Sequence, residues 1–183
     1  LLCAPTGRAA RRLEAVPDLK AVKPSTIHRM LSQRSGNKTK KVDALIIDEA
    51  SMIDLNLMAR VIDVLDEKKS TLIMIGDADQ LPPVGSGQLF CDLLKNPGIT
   101  SLRLTENFRQ SDGSGIIDAA GSVIVGRTPE LTHVVKENGF TFIERADDQE
   151  ILATVLDLYM KELPVTFGVE RESDIQILCP QRT

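Results

Sequence analysis

The sequence predicts an α/β fold in which a parallel β-sheet is covered by helices on both faces. The 183 residues are 42% hydrophobic but only 3% aromatic and include no Trp, so the core must be aliphatic. Several apolar runs are continuous rather than alternating, which is typical of strands that are buried on both faces. Patterns with helical spacing lie between these runs, and this alternation predicts parallel βαβ units.

Short apolar runs supply the strand candidates. In chain order they are Leu1 to Ala4, Ala44 to Ile47, Leu72 to Gly76, Ser101 to Leu104, Phe140 to Ile143 and Ile175 to Leu178. In an open parallel sheet, ligands bind outside the carboxyl ends of the strands. We therefore expect the functional residues directly after these runs.

Two helices are predicted from a capping residue followed by apolar residues at helical spacing. Asp54 precedes the first helix, whose expected inward residues are Leu55, Met58, Val61, Ile62 and Leu65. Asp147 or Asp148 opens the second, whose expected inward residues are Ile151, Val155, Tyr159 and Leu163. Pro164 predicts the end of that second helix.

Composition excludes several classes of protein. The three cysteines, Cys3, Cys91 and Cys179, lie far apart without a CxxC pair or a nearby His, which disfavours a disulfide framework and a zinc site. No apolar run approaches the roughly 18 residues of a membrane span, and the first residues do not resemble a signal peptide. We expect a cytoplasmic protein with no membrane partner.

The charge is unevenly distributed along the chain. The net charge is −4, yet residues 1–41 hold ten of the 22 Lys and Arg and only two of the 26 acids. This stretch is therefore +8, whereas the remainder is −12. A local basic face can bind phosphates although the whole chain is acidic. The alternative is a solvated basic surface with no partner.

The candidate catalytic carboxylates are Asp48 and Glu49, which directly follow the apolar run Ala44 to Ile47. In nucleotide hydrolysis one such carboxylate can hold Mg²⁺, usually through water. The neighbouring carboxylate can orient or deprotonate the attacking water. The structural alternative is an acidic strand end that caps the following helix.

A second candidate is Gln80, which follows the run Leu72 to Gly76 and precedes Pro82 and Pro83. The two prolines fix the backbone after Gln80. Its amide carries both a donor and an acceptor, so it can contact a γ-phosphate or the attacking water. Alone, the segment could equally be an ordinary turn stiffened by proline.

Arg109 follows the run Ser101 to Leu104. A planar guanidinium contacts phosphate oxygens through two donors, so Arg109 is a candidate cation for the transition state. An Arg after a strand is, however, often a surface ion pair.

Two segments of the basic stretch are candidates for binding nucleic acid. Pro5, Thr6, Gly7 and Arg8 lead from the first strand into a helix, where exposed amides, the Thr6 hydroxyl and Arg8 could cradle a backbone phosphate. In the segment from Ser25 to Arg29, Ser25 or Thr26 can cap a helix that carries His28 near its start. His28 could also be a packing or capping residue.

No GxxxxGK[ST] segment occurs, so the loop and lysine that grip the β- and γ-phosphates of a nucleotide are absent from this sequence. Gly85-Ser86-Gly87 follows the Pro-Pro turn but has no lysine, and we do not accept it as a substitute.

Five segments, in this order, resemble the motor motifs of superfamily 1 DNA helicases of the RecD-like type, which includes the exodeoxyribonuclease V alpha subunit and conjugative relaxase helicases. APTGRAA (residues 4–10) resembles motif Ia, and STIH (25–28) resembles its DNA-contacting neighbour. IIDEASM (46–52), GDADQLPPVGSG (76–87) and LTENFRQ (104–110) resemble motifs II, III and IV.

The resemblance implies a role for each candidate. Asp48 would bind Mg²⁺, Glu49 would activate water, and Gln80 would sense the γ-phosphate of ATP. Arg109 would contact that phosphate across the cleft between two domains. The segment from Pro5 to Arg8, with Thr26 and His28, would line the path of single-stranded DNA.

The resemblance also implies a pair of RecA-like P-loop NTPase domains. Residues 1–110 would form part of the first and residues 111–183 part of the second, with the joint near Arg109 to Gly115. A strand with the phosphate loop would precede Leu1, and later motifs, including a second arginine finger, would follow Thr183. The chain alone would then neither bind ATP tightly nor unwind DNA.

These expectations describe a fragment of an ATP-dependent DNA helicase of repair or recombination. It would use ATP and Mg²⁺ and could act with other repair, recombination or conjugation subunits. A non-hydrolysing RecA-like module that binds nucleic acid or a partner is the alternative. A nuclease is a third reading, which we disfavour because no further carboxylate or His cluster completes a two-metal site.

Overall fold

The computed structural model describes residues 1–34, 42–105, 115–129 and 139–179. The chain divides into two compact units, Leu1–Leu104 and Thr105–Thr183.

The first unit contains a four-stranded parallel sheet with the order β2-β1-β3-β4. The strands are β1 (Leu2–Ala4), β2 (Ser25–Thr26), β3 (Ala44–Ile47) and β4 (Thr71–Met74). Each neighbouring pair is parallel. Because parallel neighbours need a crossover connection, the chain passes through helices between most of these strands. The predicted α/β architecture with a parallel sheet is confirmed.

The helices of the first unit are α1 (Gly7–Glu14), α2 (Ile27–Arg34), α3 (Leu55–Ile62) and α4 (Leu89–Leu94). Short 3₁₀ turns cover Pro17–Val22 and Ala50–Met52. Side-chain caps mark the starts of α1, α2 and α3, since a cap satisfies an amide that has no partner within the helix. The Asp54 carboxylate accepts from the Leu57 amide at 2.7 Å, which confirms Asp54 as the cap of α3.

The core of the first unit is aliphatic, as the composition predicts. Its largest fully buried side chains belong to the sheet, to α2, to α3 and to the turn before α3: Cys3, Ile27, Leu45, Ile47, Ile53 and Val61. Each large aliphatic side chain of this kind contributes roughly 1.5–3 kcal/mol by leaving water. The small residues Ala4, Ala9 and Ala10 form a separate buried cluster, in which α1 packs closely on β1.

The predicted inward face of α3 is partly wrong. Met58 and Val61 are buried, whereas Leu55 and Ile62 are about half exposed, at 49% and 54%. Leu55 and Ile62 are seven residues apart and therefore share one side of the helix. Met58 and Val61, which are three residues apart, face the core. The side of α3 that carries Leu55 and Ile62 therefore lies toward solvent.

The second unit contains α5 (Gly115–Ile124), α6 (Asp148–Asp157), α7 (Leu163–Phe167) and α8 (Arg171–Asp174). Asp147 caps α6, because its carboxylate accepts from the Glu150 amide at 2.9 Å. Pro164 does not end the helical segment, contrary to our expectation. A π-helical turn, Leu158–Glu162, leads directly into α7, and Pro164 occupies the first turn of α7, where its missing N–H is tolerated.

The inward face predicted for α6 and its continuation is partly correct. Val155, Tyr159 and Leu163 are partly buried, whereas Ile151 is 47% exposed and no residue of α6 is fully buried.

Three strand candidates are not strands. The segments 101–104, 140–143 and 175–178 have no regular secondary structure. A strand exists only when a neighbour completes its hydrogen-bond ladder, and an apolar run cannot supply that neighbour by itself. Within the described residues these segments pair with no strand, and Leu102 and Leu104 are almost fully exposed.

Across the four described ranges, no helix is both long enough and apolar enough to cross a lipid bilayer.

Candidate functional site

The parallel register aligns the carboxyl ends of all four strands along one edge of the sheet. Ala4 of β1 pairs with Thr26 of β2, and Cys3 pairs with Ile47 of β3. Ile47 in turn pairs with Met74 of β4. Neighbouring strands lie about 4.8 Å apart, so three spacings, roughly 14 Å, separate β2 from β4 along this edge.

The predicted site residues follow these strand ends in a fixed order along the edge. Thr26 is the last residue of β2 and His28 follows it, and the segment from Pro5 to Arg8 follows β1. Asp48 and Glu49 follow β3, and the loop with Gln80 follows β4. The structure therefore brings the candidate carboxylates between the candidate nucleic-acid segments and Gln80. Arg109 lies outside the described residues.

The backbone around Asp48 and Glu49 is anchored on both sides. The Asp48 amide donates to the Cys3 carbonyl at 2.9 Å, which extends the β1–β3 ladder by one residue. After Glu49, the Ala50 amide donates to the Ile75 carbonyl at 2.8 Å. The two acidic side chains are partly exposed. They are thus accessible to a ligand while their backbone is fixed to two neighbouring strands.

Glu49 adopts a left-handed backbone conformation, with φ 55° and ψ 39°. Within the described residues, only Lys23 is another non-glycine residue with positive φ. This conformation costs an L-residue roughly 1–2 kcal/mol. Strained backbone of this kind is concentrated at functional sites, where surrounding contacts hold it. Nothing in the amino-acid type of Glu49 indicates this geometry, and the sequence analysis missed it.

The loop after β4 is held by a turn around Asp77. The Asp79 amide donates to the Asp77 carboxylate at 3.0 Å, and the Gln80 amide donates to the Asp77 carbonyl at 3.3 Å. Arg103 binds the Asp79 carboxylate at 3.1 Å. Gln80 itself is exposed, so its amide side chain is available to a ligand.

The end of this loop packs on the start of α3. The Leu55 amide donates to the Ser86 carbonyl at 3.0 Å. A Cβ on Gly85 would overlap the Asp54 carboxylate, and a Cβ on Gly87 would lie 2.6 Å from Leu55 Cδ1. Gly87 also has φ +92°. The glycines of Gly85-Ser86-Gly87 therefore permit a close backbone contact with the start of α3.

Thr6 is the N-cap of α1. Its hydroxyl oxygen accepts from the Ala9 amide at 3.2 Å, so one candidate contact of the phosphate cradle already has a structural role. The first-turn amides of a helix have no acceptor within that helix. Among the described residues, no atom beyond the chain neighbours and the α1 backbone lies within 4 Å of a Cβ on Gly7, and Arg8 is exposed. The start of α1 is therefore open to a ligand.

Thr26, rather than Ser25, caps the helix that follows β2. Its hydroxyl oxygen accepts from the Arg29 amide at 3.2 Å. His28 is exposed in the first turn of α2. His28 is therefore not a core residue, whereas Thr26 does serve as a cap.

Ser51 is a buried polar residue that the sequence analysis did not single out. It is 6% exposed, and its hydroxyl has no hydrogen-bond partner within the described residues. An unpaired buried hydroxyl costs about 1–3 kcal/mol. Ser51 belongs to the segment IIDEASM and lies close to Glu49. Its place in that segment is the only feature of the sequence that could have identified Ser51.

The donor chemistry of this edge fits a magnesium ion bound together with phosphates. Mg²⁺ usually takes one or two carboxylates and completes its shell with phosphate oxygens and water. Asp48 offers one partly exposed carboxylate at a strand end. Among the residues that the structure describes, no three His, Cys, Asp or Glu side chains are grouped around a common metal position.

Comparison with known proteins identifies the family. A family model described as an AAA domain matches residues 1–146, which is most of the chain. The chain belongs to the AAA domain family. This AAA domain is 35% identical over 134 residues to the ATP-dependent RecD2 DNA helicase of Deinococcus radiodurans. That match covers 70% of the chain and 18% of the helicase.

Two further relatives of this AAA domain are RecBCD enzyme subunits RecD. The one from Mycobacterium tuberculosis strain H37Rv is 31% identical over 173 residues, which cover 81% of the chain and 29% of the relative. The one from Mycolicibacterium smegmatis is 28% identical over 155 residues, which cover 67% of the chain and 28% of the relative. The RecD-like resemblance and the RecA-like α/β fold are confirmed.

The AAA domain thus spans less than a third of the length of these relatives. Membership of this family indicates nucleotide use.

Proposed function

We propose that this chain supplies the water-activating, phosphate-sensing and DNA-contacting parts of the motor of an ATP-dependent DNA helicase. The observation that carries the proposal is the single carboxyl edge of the parallel sheet. This edge presents Asp48 and Glu49 between the basic segments after β1 and β2 and the Gln80 loop after β4. Hydrolysis and DNA contact can therefore be coupled over a few strand spacings.

The carboxylates divide the chemistry between them. Asp48 directly continues β3 and would hold the Mg²⁺ that accompanies ATP, which neutralises charge on the phosphates. Glu49 lies beyond the end of the ladder and would accept a proton from the attacking water. Gln80, with its exposed amide, would contact the γ-phosphate or that water. Arg109 would supply the cation for the developing phosphate charge.

The DNA contacts are assigned to the edge formed by β1 and β2. The open start of α1, from Pro5 to Arg8, would bind a backbone phosphate through exposed amides and the Arg8 guanidinium. Thr26 and His28 would lie beside it along single-stranded DNA. The excess of basic residues in 1–41 supports this assignment, because phosphate contacts dominate affinity for nucleic acids.

We also assign residues 1–110 to the first motor domain and residues 111–183 to the second. The division into the units Leu1–Leu104 and Thr105–Thr183 supports a joint near this position. A cytoplasmic location and an association with other repair, recombination or conjugation subunits belong to the same proposal. The relatives named as RecBCD subunits and the three free cysteines of this chain support it.

The test is DNA-stimulated ATP hydrolysis by the full-length protein and by its Glu49→Gln variant. Loss of a positioned general base should lower kcat by roughly 10²–10⁴-fold. Glu67→Gln is a matched control, since Glu67 is an exposed acid in the connection before β4 and should leave kcat unchanged. The proposal fails if DNA does not stimulate hydrolysis, or if Glu49→Gln hydrolyses ATP at the unaltered rate. The first result would favour the non-hydrolysing module.

A further inference from the structure

The left-handed turn at Glu49 is closed by a single residue of the neighbouring strand segment. The Ile75 amide donates to the Ile47 carbonyl at 2.8 Å, just before Asp48. The Ile75 carbonyl accepts from the Ala50 amide at 2.8 Å, just after Glu49. Both ends of the Asp48–Glu49 turn are therefore bonded to Ile75. The separation of Ile47 from Ala50 is thereby fixed, and the two acidic residues between them must fit it.

Gly76 lets the chain pass very close to the same turn. A Cβ on Gly76 would lie 2.9 Å from the Ser51 nitrogen and 3.2 Å from the Ala50 nitrogen. It would also lie 3.2 Å from Cζ of Phe90, on α4. Two of these three neighbours are backbone atoms of the 3₁₀ turn after Glu49, and backbone cannot rotate away as a side chain can. Any side chain at position 76 must therefore displace that turn.

We propose that Ile75 and Gly76 together form a positioning element that holds Glu49 in its left-handed conformation and so places its carboxylate. This inference rests on the proposed role of Glu49 as the general base. Ile75 contributes the two backbone hydrogen bonds, and Gly76 contributes the absence of a side chain. The same two residues begin the loop that carries Gln80. One segment of backbone therefore sets the positions of both Glu49 and Gln80.

The expected loss of kcat follows from how little displacement a catalytic group tolerates. Relief of the 2.9 Å contact requires the Ala50–Ser51 backbone to move by several tenths of an ångström, and Glu49 is the adjacent residue. A misplacement of about 1 Å in a catalytic group can cost roughly 10²-fold in rate. The binding of ATP does not depend on the Glu49 carboxylate in this scheme. The loss should therefore appear in kcat and not in KM.

The first experiment measures DNA-stimulated ATP hydrolysis by full-length protein with Gly76→Ala. We expect kcat to fall by roughly 10–10²-fold, while KM for ATP changes by less than about twofold. Gly121→Ala is the matched control. In the part of the chain that the structure describes, no atom outside its own stretch of helix lies within 4 Å of a Cβ at that glycine, and kcat should be unchanged. An unaltered kcat in Gly76→Ala overturns the inference.

Two double variants separate positioning from general damage to the fold. In a Glu49→Gln background, Gly76→Ala should lower kcat by less than about twofold further, because residues that act through one group are not additive. A full additional loss overturns the inference. The inference is also overturned if the addition of Phe90→Leu to Gly76→Ala restores kcat. The clash would then be with the aromatic ring and not with the turn.

The second experiment does not depend on hydrolysis and remains informative if Gly76→Ala does not fold. Urea unfolding of the full-length protein is compared for Glu49→Gly and Glu49→Ala. Gly is normally the less stable of the two, but it adopts positive φ without the steric cost that Ala pays. We expect the higher midpoint for Glu49→Gly. A higher midpoint for Glu49→Ala would show that position 49 is not held left-handed and would overturn the inference. Failure of the proposed function would instead appear as unaltered hydrolysis in Glu49→Gln alone.

Discussion

Gly87→Ala tests whether the loop that carries Gln80 is fastened to the start of α3. The structure gives two separate costs for this substitution. The first is conformational, because Gly87 has φ +92° and an L-residue pays roughly 1–2 kcal/mol for left-handed backbone. The second is steric, because the new Cβ would lie 2.6 Å from both Cγ and Cδ1 of Leu55.

The steric cost is moderated by the exposure of Leu55. Overpacking in a closed core costs typically 1–3 kcal/mol, but Leu55 is 49% exposed and can rotate partly into solvent. We therefore take the lower end, about 1 kcal/mol. The sum predicts that Gly87→Ala lowers the free energy of unfolding of the first unit by roughly 2–3 kcal/mol.

Gly126→Ala is the control for the conformational cost. Gly126 has φ +72°, but no atom of the described residues beyond its chain neighbours lies within 4 Å of its Cβ position. The backbone cost of roughly 1–2 kcal/mol therefore applies alone. Amide hydrogen exchange measures both costs in the unit that contains each glycine. Exchange should also accelerate at Leu55, whose amide donates to Ser86. Equal destabilisation by the two variants, or unchanged protection at Leu55, would refute the proposed fastening.

Two further predictions concern the basic stretch and the buried thiol. Arg8, Arg11 and Arg12 are exposed residues of α1. Replacing all three with Ala should weaken single-stranded DNA binding and make the slope of log K against log salt shallower by up to about 2, because each lost phosphate contact removes about 0.7. Replacing Lys68 and Lys69 should leave the slope unaltered, and a slope unaltered by the arginine replacements would rule out contacts there. Burial raises the pKa of the Cys3 thiol, against a smaller lowering by its hydrogen bond with Ser25, so iodoacetamide should label exposed Cys179 well before Cys3. Since the pKa of Cys3 is higher in the folded than in the unfolded protein, the free energy of unfolding should be constant below the ordinary thiol range and fall as the pH rises through the raised pKa. Equal labelling rates of Cys3 and Cys179 in the folded protein would contradict the burial of Cys3.

The sequence predicts three of the four strands of the first unit, because these three carry their own signal. It does not predict β2, which is only two residues long. Continuous apolar runs identify β1, β3 and β4, and acidic or polar residues directly after them predict the candidate functional edge. The position of Asp48 required no knowledge of the fold beyond the rule that ligands bind at the carboxyl ends of parallel strands. The cap at Asp54 was predicted for the same reason, since a capping signal is local.

The features that were missed depend on contacts between distant segments. The run Ser101 to Leu104 has the composition of a strand, but no strand among the described residues completes its ladder. The left-handed backbone of Glu49 is imposed by two hydrogen bonds to Ile75, about 26 residues away in the chain. The partner of Gly85-Ser86-Gly87 at the start of α3 is likewise distant in sequence. Glycine spacing predicts a tight turn and not what that turn touches.

The conformation of Glu49 has a consequence for how relatives of this protein lose activity over evolutionary time. Most substitutions of a buried or anchored residue reduce stability, and selection for folding then opposes them. At position 49 the substitutions that would remove the proposed proton acceptor and also suit positive φ, such as Glu49→Gly and Glu49→Asn, release backbone strain. A lineage freed from the need to hydrolyse ATP therefore meets no folding barrier at this position. We expect hydrolysis-deficient homologues to carry Gly or Asn there more often than Ala.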